Sequence, residues 1–489
     1  MTIQTIKDFG VGAGQVFIGG AWVSAAGREE REIRNPKNGE HVDIVAASSL
    51  EDADRAVAAA RKAQPGWAAL TPMERAGFLH KLANLIDENA EPIAQLLTAE
   101  GGKLISESRI DVGFAALLIR YAAESARRLQ GEIMPGEGRD EQIWIQRAPY
   151  GVVAGVTAWN FPAALFARKV GPSLVTGNTI VVKPHELTPL ATLVLGELCR
   201  RAGIPDGVVN VITGDGRSVG AHLVAHRHTD LISMTGSVRA GGEIYALGAE
   251  RIKPIRLELG GKAPFIVMDD ADIDKAVEAA VASKFFAGGS VCTCNDRMYL
   301  HAGIHDEFMQ KFVARTQALK VGDPTDAGSQ IGPRISAGEV DKLKRMVAAA
   351  LREGATTIAE TKSNDERFAR GNWFFPTVLG VASNSLSIMR EETFGPVIAA
   401  MKVSDFDEAL ACANDSDYGL SAYVFTRDHR KIMRCVRELA FGEIYVNRAS
   451  GESPNGFHTG YRMSGVGGED GPHGIEGFMR KKTMYNNFG

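Results

Sequence analysis

The chain carries few of the features that mark extracellular, membrane or nucleic-acid-binding proteins. Only five cysteines occur in 489 residues, at positions 199, 292, 294, 412 and 435. That is too sparse for a disulfide framework. No uninterrupted apolar stretch is long enough to span a bilayer. The formal net charge is −4, which draws the chain neither to nucleic acid nor to a membrane surface. The opening "MTIQTIKDFGVGAGQ" lacks the basic and then apolar order of a secretory leader. Internal repeats and low-complexity segments are also missing. A cytoplasmic setting is expected, with no nucleic-acid or membrane partner.

What is present fits a globular protein: 45% hydrophobic and 23% charged residues. The length exceeds what one core usually organises, so two or three units are expected. Thr71-Pro72-Met73-Glu74 reads as a capping box with proline in the first turn. Phe78, Leu82, Leu85 and Ile86 then recur at helical spacing, and a second helical run is expected over 111–128. From Gly151 short β-branched runs ("GVVAGVT", "TIVVK", "VVNVIT", "LISMT") alternate with Ala- and Leu-rich stretches, as in βαβ units on a parallel sheet. A second α/β pattern runs from "PFIVMDD" to "GEIYVN". The expectation is two α/β lobes with a cleft between them. The excursion "GEGRDEQIWIQRAP" and the tail "KKTMYNNF" read either as an arm offered to another subunit or as a surface hairpin with a loose end.

Several residues carry chemistry, though each has a bland reading. Cys292, in "FFAGGSVCTC", is a buried small hydrophobe, half of a metal or redox pair with Cys294, or a nucleophile. Cys-x-Cys has no second pair or nearby histidine to complete a zinc site, so no metal is expected. Glu258 in "LELGGK" falls at a strand end beside paired glycines, where a carboxylate can serve as a general base or simply be a solvated loop acid. Asn160 in "TAWNFP" can donate to a developing oxyanion or merely mark a turn. Lys183 and Glu186 in "KPHE" sit where ribose hydroxyls are gripped in parallel sheets. Gly236 and Ser237 open a helix, where free backbone N–H groups can meet a pyrophosphate. Gly214, Gly216 and Gly220 only approximate the dinucleotide fingerprint and read as turn and packing glycines. Asp269, Asp270 and Asp272 read as helix caps rather than cation ligands, and His226 and His228 as a solvated face.

Taken together, "AWNFP", "GNTIVVKPHELTP", "MTGSVRAG", "LELGGKAPFIV", "GGSVC", "EETFGPV" and "NDSDYGLSAYVFT" resemble, in order, the aldehyde dehydrogenase superfamily. The resemblance covers nearly the whole chain, and the spacing from Glu258 to Cys292 suits it. It implies an α/β fold with a Rossmann-type NAD-binding domain (1–128 and 149–258), a catalytic domain (259–460) and a β oligomerisation arm (129–148 and 475–489). It implies NAD(P)-dependent oxidation of an aldehyde to an acid through a thiohemiacetal and a thioester. Cys292 would attack the aldehyde carbon, Asn160 would hold the oxyanion, Glu258 would activate water, and Lys169 matches a family-wide lysine. Cofactor contacts would fall on Trp159, Lys183, Glu186, Gly236, Ser237, Glu392 and Phe394. Glu186 should repel a 2′-phosphate, favouring NAD over NADP. A homodimer or homotetramer is implied as well.

"LFARK", "VCTC" and "GFHTGYRMSGVGGEDGPHG" further resemble the bacterial branch acting on lactaldehyde and glycolaldehyde. In that branch an arginine and a histidine meet a small hydroxylated aldehyde; they correspond to Arg168 and His458, with Phe114 walling the pocket. Departures occur at His185, Ser290, Thr293 and through "ASGESPNGFH". The alternatives are a semialdehyde whose carboxylate would pair with Arg168, a CoA-acylating enzyme, and a silent binding protein that kept the fold.

Overall fold

A computed structural model describes residues 5–12, 14–24, 29–363 and 365–489. The first residues of the stretch read for a leader, and of the 1–128 segment, lie outside this range.

Parallel order in the first sheet follows from the alternation seen in the sequence. Val152–Val156, Thr179–Lys183, Val209–Val211, Leu231–Thr235 and Ile255–Glu258 pair in parallel. All but the ends of these strands are buried, as expected where helices cover both faces. The sheet has eight strands, and its first-formed parallel strand, Val152–Val156, lies between Thr179–Lys183 and Leu231–Thr235. Successive crossovers therefore run to opposite sides of Val152–Val156, leaving a crevice at the carboxyl ends of the strands. The sheet is completed by Gln15–Ile18 and Ala21–Ser24 on one edge and by Gly465–Val466 on the other. The chain thus returns to its first sheet after residue 460 and carries the segment around His458 across the cleft.

The second sheet has seven strands and its own apolar cores on both faces. Its centre, Ala263–Val267 beside Asn295–His301, begins next to the cleft, just after Gly260 and Thr293. A third sheet joins Glu132–Pro135, Glu141–Pro149 and Met479–Asn487. The hairpin and the tail thus form one exposed antiparallel ribbon, and the tail is not loose.

Helical expectations hold in kind and shift in detail. Thr71 caps Pro72–Glu88 through a capping box with Glu74, a device worth about 1 kcal/mol. The buried stripe is centred on Leu79, Leu82, Ala83 and Ile86, with Phe78 and Leu85 half-buried at its margins. The second helix is Ile105–Glu124 followed by a tighter turn, Ser125–Arg128, so it begins earlier than expected. Asp272 caps Ile273–Phe285 by accepting from the Lys275 amide. Among the described residues no helix is long and apolar enough to cross a membrane.

Candidate active site

A cavity of about 1030 Å³ runs from Lys183 and Glu186 at one end to Cys292, Glu258 and His458 at the other. Its middle is built by glycines that let chain segments touch. The helix Ile273–Phe285 ends in a left-handed turn at Ala287, Gly288 and Gly289. A Cβ on Gly289 would lie 2.4 Å from the Gly395 carbonyl oxygen, so only glycine allows this approach. In "LELGGK", a Cβ on Gly260 would meet Glu392 at 2.4 Å, and one on Gly261 would meet the Cys292 carbonyl at 2.5 Å. The paired glycines therefore bring the Glu392 segment and the cysteine segment to one point.

Cys292 is half-buried and lines the cavity. Burial pushes its thiol up, and the neighbouring His458 opposes this. Cys294 lies behind it: buried, with its thiol 3.6 Å from the Gly289 carbonyl and pushed up to about 12 by burial. The two thiols thus have separate environments, one facing the cavity and one packed under the loop. Asn160 donates through Nδ2 to the Ser290 carbonyl at 3.0 Å, which fixes its amide beside the cysteine loop. Lys103 Nζ donates to the Asn160 backbone carbonyl at 2.9 Å.

Glu258 ends its strand opposite Thr235. Its carboxylate is buried, and neither oxygen has a hydrogen-bond partner. Burial raises it to about 8, against the pull of His458, whose Nε2 lies 3.6 Å away. An unsatisfied buried carboxyl of this kind holds a proton near neutral pH and becomes a base for water as the pH rises toward about 8.

The helix Pro162–Val175 contributes Arg168 and Lys169, both buried. Lys169 does not line the cavity; Nζ bonds Glu469 and the Thr235 hydroxyl (2.7 Å), so it fixes the wall behind Glu258. Arg168 does line it, 5.6 Å from the Phe114 ring, but its guanidinium already bonds Asp470 at 2.6 Å and Glu452. His458 has Nδ1 at 3.0 Å from Glu443 and 3.9 Å from Glu452. Burial opposes its protonation, but Glu452 and Glu443 outweigh that and hold it well above the usual histidine range. Glu443, Glu452 and His458 are close enough to share a cation; the imidazolium supplies that positive charge itself.

At the other end, Lys183 Nζ is 3.8 Å from Glu186 and is pushed down to about 8 by burial. Ser237 caps Val238–Ala249. One expectation is corrected here. The Gly236 N–H donates to the Glu258 carbonyl at 3.0 Å and is not free for a phosphate. The strand-edge bond that aligns Thr235 with Glu258 continues one residue further and consumes it. Trp159 and Phe394 meet edge to face at 5.3 Å. Glu392 accepts from the Gly261 amide at 2.9 Å and is raised to about 7 by burial. A dinucleotide fits this end: it lies at the carboxyl ends of parallel strands, with a lysine–glutamate pair and the half-buried Glu392 carboxyl lining it.

Sequence reasoning missed Glu443, Glu452, Glu469, Asp470 and Arg334. Arg334 is buried and ties Gly288, Ser290 and Phe394 together, joining the cysteine loop to the cofactor loop. The acids had a signal: Arg168, Lys169 and His458 fall in or beside apolar segments and need counter-charges, and "ASGESPNGFH" and "GGEDGPHG" supply acids around His458.

Residues 22–484 match the Aldehyde dehydrogenase family, and the chain belongs to it. It is an aldehyde-oxidising, NAD(P)-dependent oxidoreductase. Among its relatives, 3,6-anhydro-alpha-L-galactose dehydrogenase of Vibrio sp. (strain EJY3) is 45% identical over 97% of this chain and 99% of its own. Lactaldehyde dehydrogenase of Escherichia coli (strain K12) is 39% identical over 96% and 98%. A solved 3,6-anhydro-L-galactose dehydrogenase in complex with NAP superposes with a TM-score of 0.95 at 46% identity, covering 97% of this chain and 100% of that one.

Proposed function

We propose that this enzyme oxidises a short, uncharged, hydroxyl-bearing aldehyde, such as lactaldehyde, glycolaldehyde or a small sugar aldehyde, to its acid. The similarity to anhydrogalactose dehydrogenases supports the sugar end of that class. The observation that carries the reading is the polar lining beside Cys292: Arg168, His458, Thr293 and Glu452. Such groups suit hydroxyls next to a carbonyl, whereas a fatty-aldehyde pocket would be apolar.

Cys292 attacks the aldehyde carbon, and its thiol proton passes to water in the cavity as the sulfur bonds. The oxyanion of the resulting thiohemiacetal is met by the second Asn160 N–H, the first being held by Ser290. A bound nicotinamide dinucleotide supplies the acceptor for the hydride that the aldehyde carbon loses. Trp159, Lys183, Glu186, Ser237, Glu392 and Phe394 would hold it. Glu258 takes a proton from water as that water attacks the thioester, releasing the acid and restoring the thiol. Lys169 and Gly236 keep Glu258 in register. Glu186 would meet the adenosine ribose, where its charge would favour NAD over NADP. The exposed ribbon of Glu132–Pro135, Glu141–Pro149 and Met479–Asn487, with Ile133, Tyr485 and Phe488 uncovered, is the arm of a homodimer or homotetramer. Free thiols fit a cytoplasmic setting.

The test is an aldehyde panel with NAD and NADP, followed by absorbance of the reduced cofactor. Lactaldehyde, glycolaldehyde and 3,6-anhydro-galactose should outpace hexanal in kcat/KM; preference for hexanal would overturn the reading.

A further inference from the structure

Glu452 is placed where it touches both cations that line the substrate end, Arg168 and His458. It bonds the Arg168 guanidinium, lies 3.9 Å from His458 Nδ1, and accepts from the Thr293 hydroxyl at 3.5 Å. It lines the cavity beside Cys292. A lone arginine here would be a ready partner for a second carboxylate on the substrate. Arg168 is not alone, because Asp470 bonds its Nε and Nη2 and Glu452 bonds the same Nη2, so two carboxylates face its one positive charge.

We infer that Glu452 sets the substrate class, neutralising Arg168 so that the pocket takes an uncharged hydroxyaldehyde and rejects a semialdehyde bearing a second carboxylate. The inference rests on the hydroxyaldehyde reading above. Against the cations Arg168, Lys169 and His458 stand the carboxylates Glu443, Glu452, Glu469 and Asp470. The three positive charges are thus outnumbered by carboxylates before any substrate enters. A substrate carboxylate would meet Glu452 as a like charge in a site of low dielectric, an arrangement that costs heavily. A substrate hydroxyl, by contrast, can donate to the Glu452 oxygen that now faces Thr293, while its own oxygen accepts from His458. Arginine and histidine at this end would by themselves have fitted either substrate class. The acid decides between them.

The test compares wild type, Glu452→Gln and Glu452→Asp on lactaldehyde and succinate semialdehyde with NAD, reading kcat/KM for each. Glu452→Gln should shift the ratio toward succinate semialdehyde by about tenfold or more, and Glu452→Asp, which keeps the charge, should restore the wild-type ratio. An unchanged ratio in Glu452→Gln overturns the role of Glu452. If wild type itself prefers succinate semialdehyde, the hydroxyaldehyde reading fails, and a further shift in Glu452→Gln would still show the charge effect. A measurement on wild type alone guards against a misfolded variant. With lactaldehyde as substrate, 4-hydroxybutyrate should inhibit at about tenfold lower concentration than succinate, two compounds of one length differing in terminal charge. Equal inhibition would overturn the inference.

Discussion

The two ends of the cavity are built by different means. At the cofactor end, part of the lining comes from short local motifs, Lys183 with Glu186 and Ser237 at its helix start, while Glu392 and Phe394 meet Gly261 and Trp159 from other parts of the chain. At the substrate end, side chains that touch come from distant parts of the chain. Arg168 reaches Asp470 across 302 positions and Glu452 across 284. Some pairs of the first end need only one turn of backbone; the ion pairs of the second need the whole fold before any exists. Losses at the cofactor end should therefore be confined to binding, whereas losses at the substrate end should reach catalysis and stability together.

The largest effect tests whether the two ends separate at all. Cys292→Ala should lower NADH formation by about 10⁴-fold or more, while NADH binding, followed by fluorescence quenching, stays near wild type. Weakened binding of similar size would mean the ends are one unit. Next, Glu258→Gln should lower kcat by about a hundredfold or more. Wild-type kcat should rise with pH through about 8, because burial holds Glu258 protonated below that value and only its ionised form accepts a proton. The limb should vanish in Glu258→Gln; a surviving limb would assign it to another group.

Stability sharpens the contrast. Glu469→Gln leaves Lys169, fully buried, without its counter-charge, which should cost about 3–5 kcal/mol and lower the melting temperature by several degrees. Glu186→Gln, at a half-buried site, should cost under about 1 kcal/mol. Equal shifts in thermal melting would erase the distinction. The smallest effect is on cofactor choice: Glu186→Gln should raise the NADP-to-NAD ratio of kcat/KM by about tenfold, since it removes a charge that faces a 2′-phosphate. No change would relieve Glu186 of that role.

The same contrast explains what the sequence made legible. The parallel sheet, the caps at Thr71 and Asp272, and the cofactor motifs are set by neighbours within a few residues, and periodicity reveals them. Cys292, Glu258 and Asn160 each kept a bland local reading, and their roles came from the ordered motifs that resemble the family. The structure brings all three to one cavity. The buried acids were not found, because a glutamate in a glycine-rich loop looks solvated until Arg168 and His458 are known to lie beneath it. Gly236 was misjudged for a related reason: whether an amide is free depends on the next strand, here Glu258 across the sheet edge. The helix face at Phe78 and Leu85 shifted because helical spacing fixes a stripe, while the packing partner fixes its centre.

The most direct test of the central claim, a half-buried sulfur that carries the acyl group while a buried carboxyl frees it, uses Glu258→Gln. The variant is mixed with NAD and glycolaldehyde, quenched in acid and read by peptide mass spectrometry. The account predicts an acyl adduct on the peptide at Cys292 together with a burst of NADH and slow release afterwards. An adduct on Cys294, or undiminished turnover with Cys292 unmodified, would contradict it.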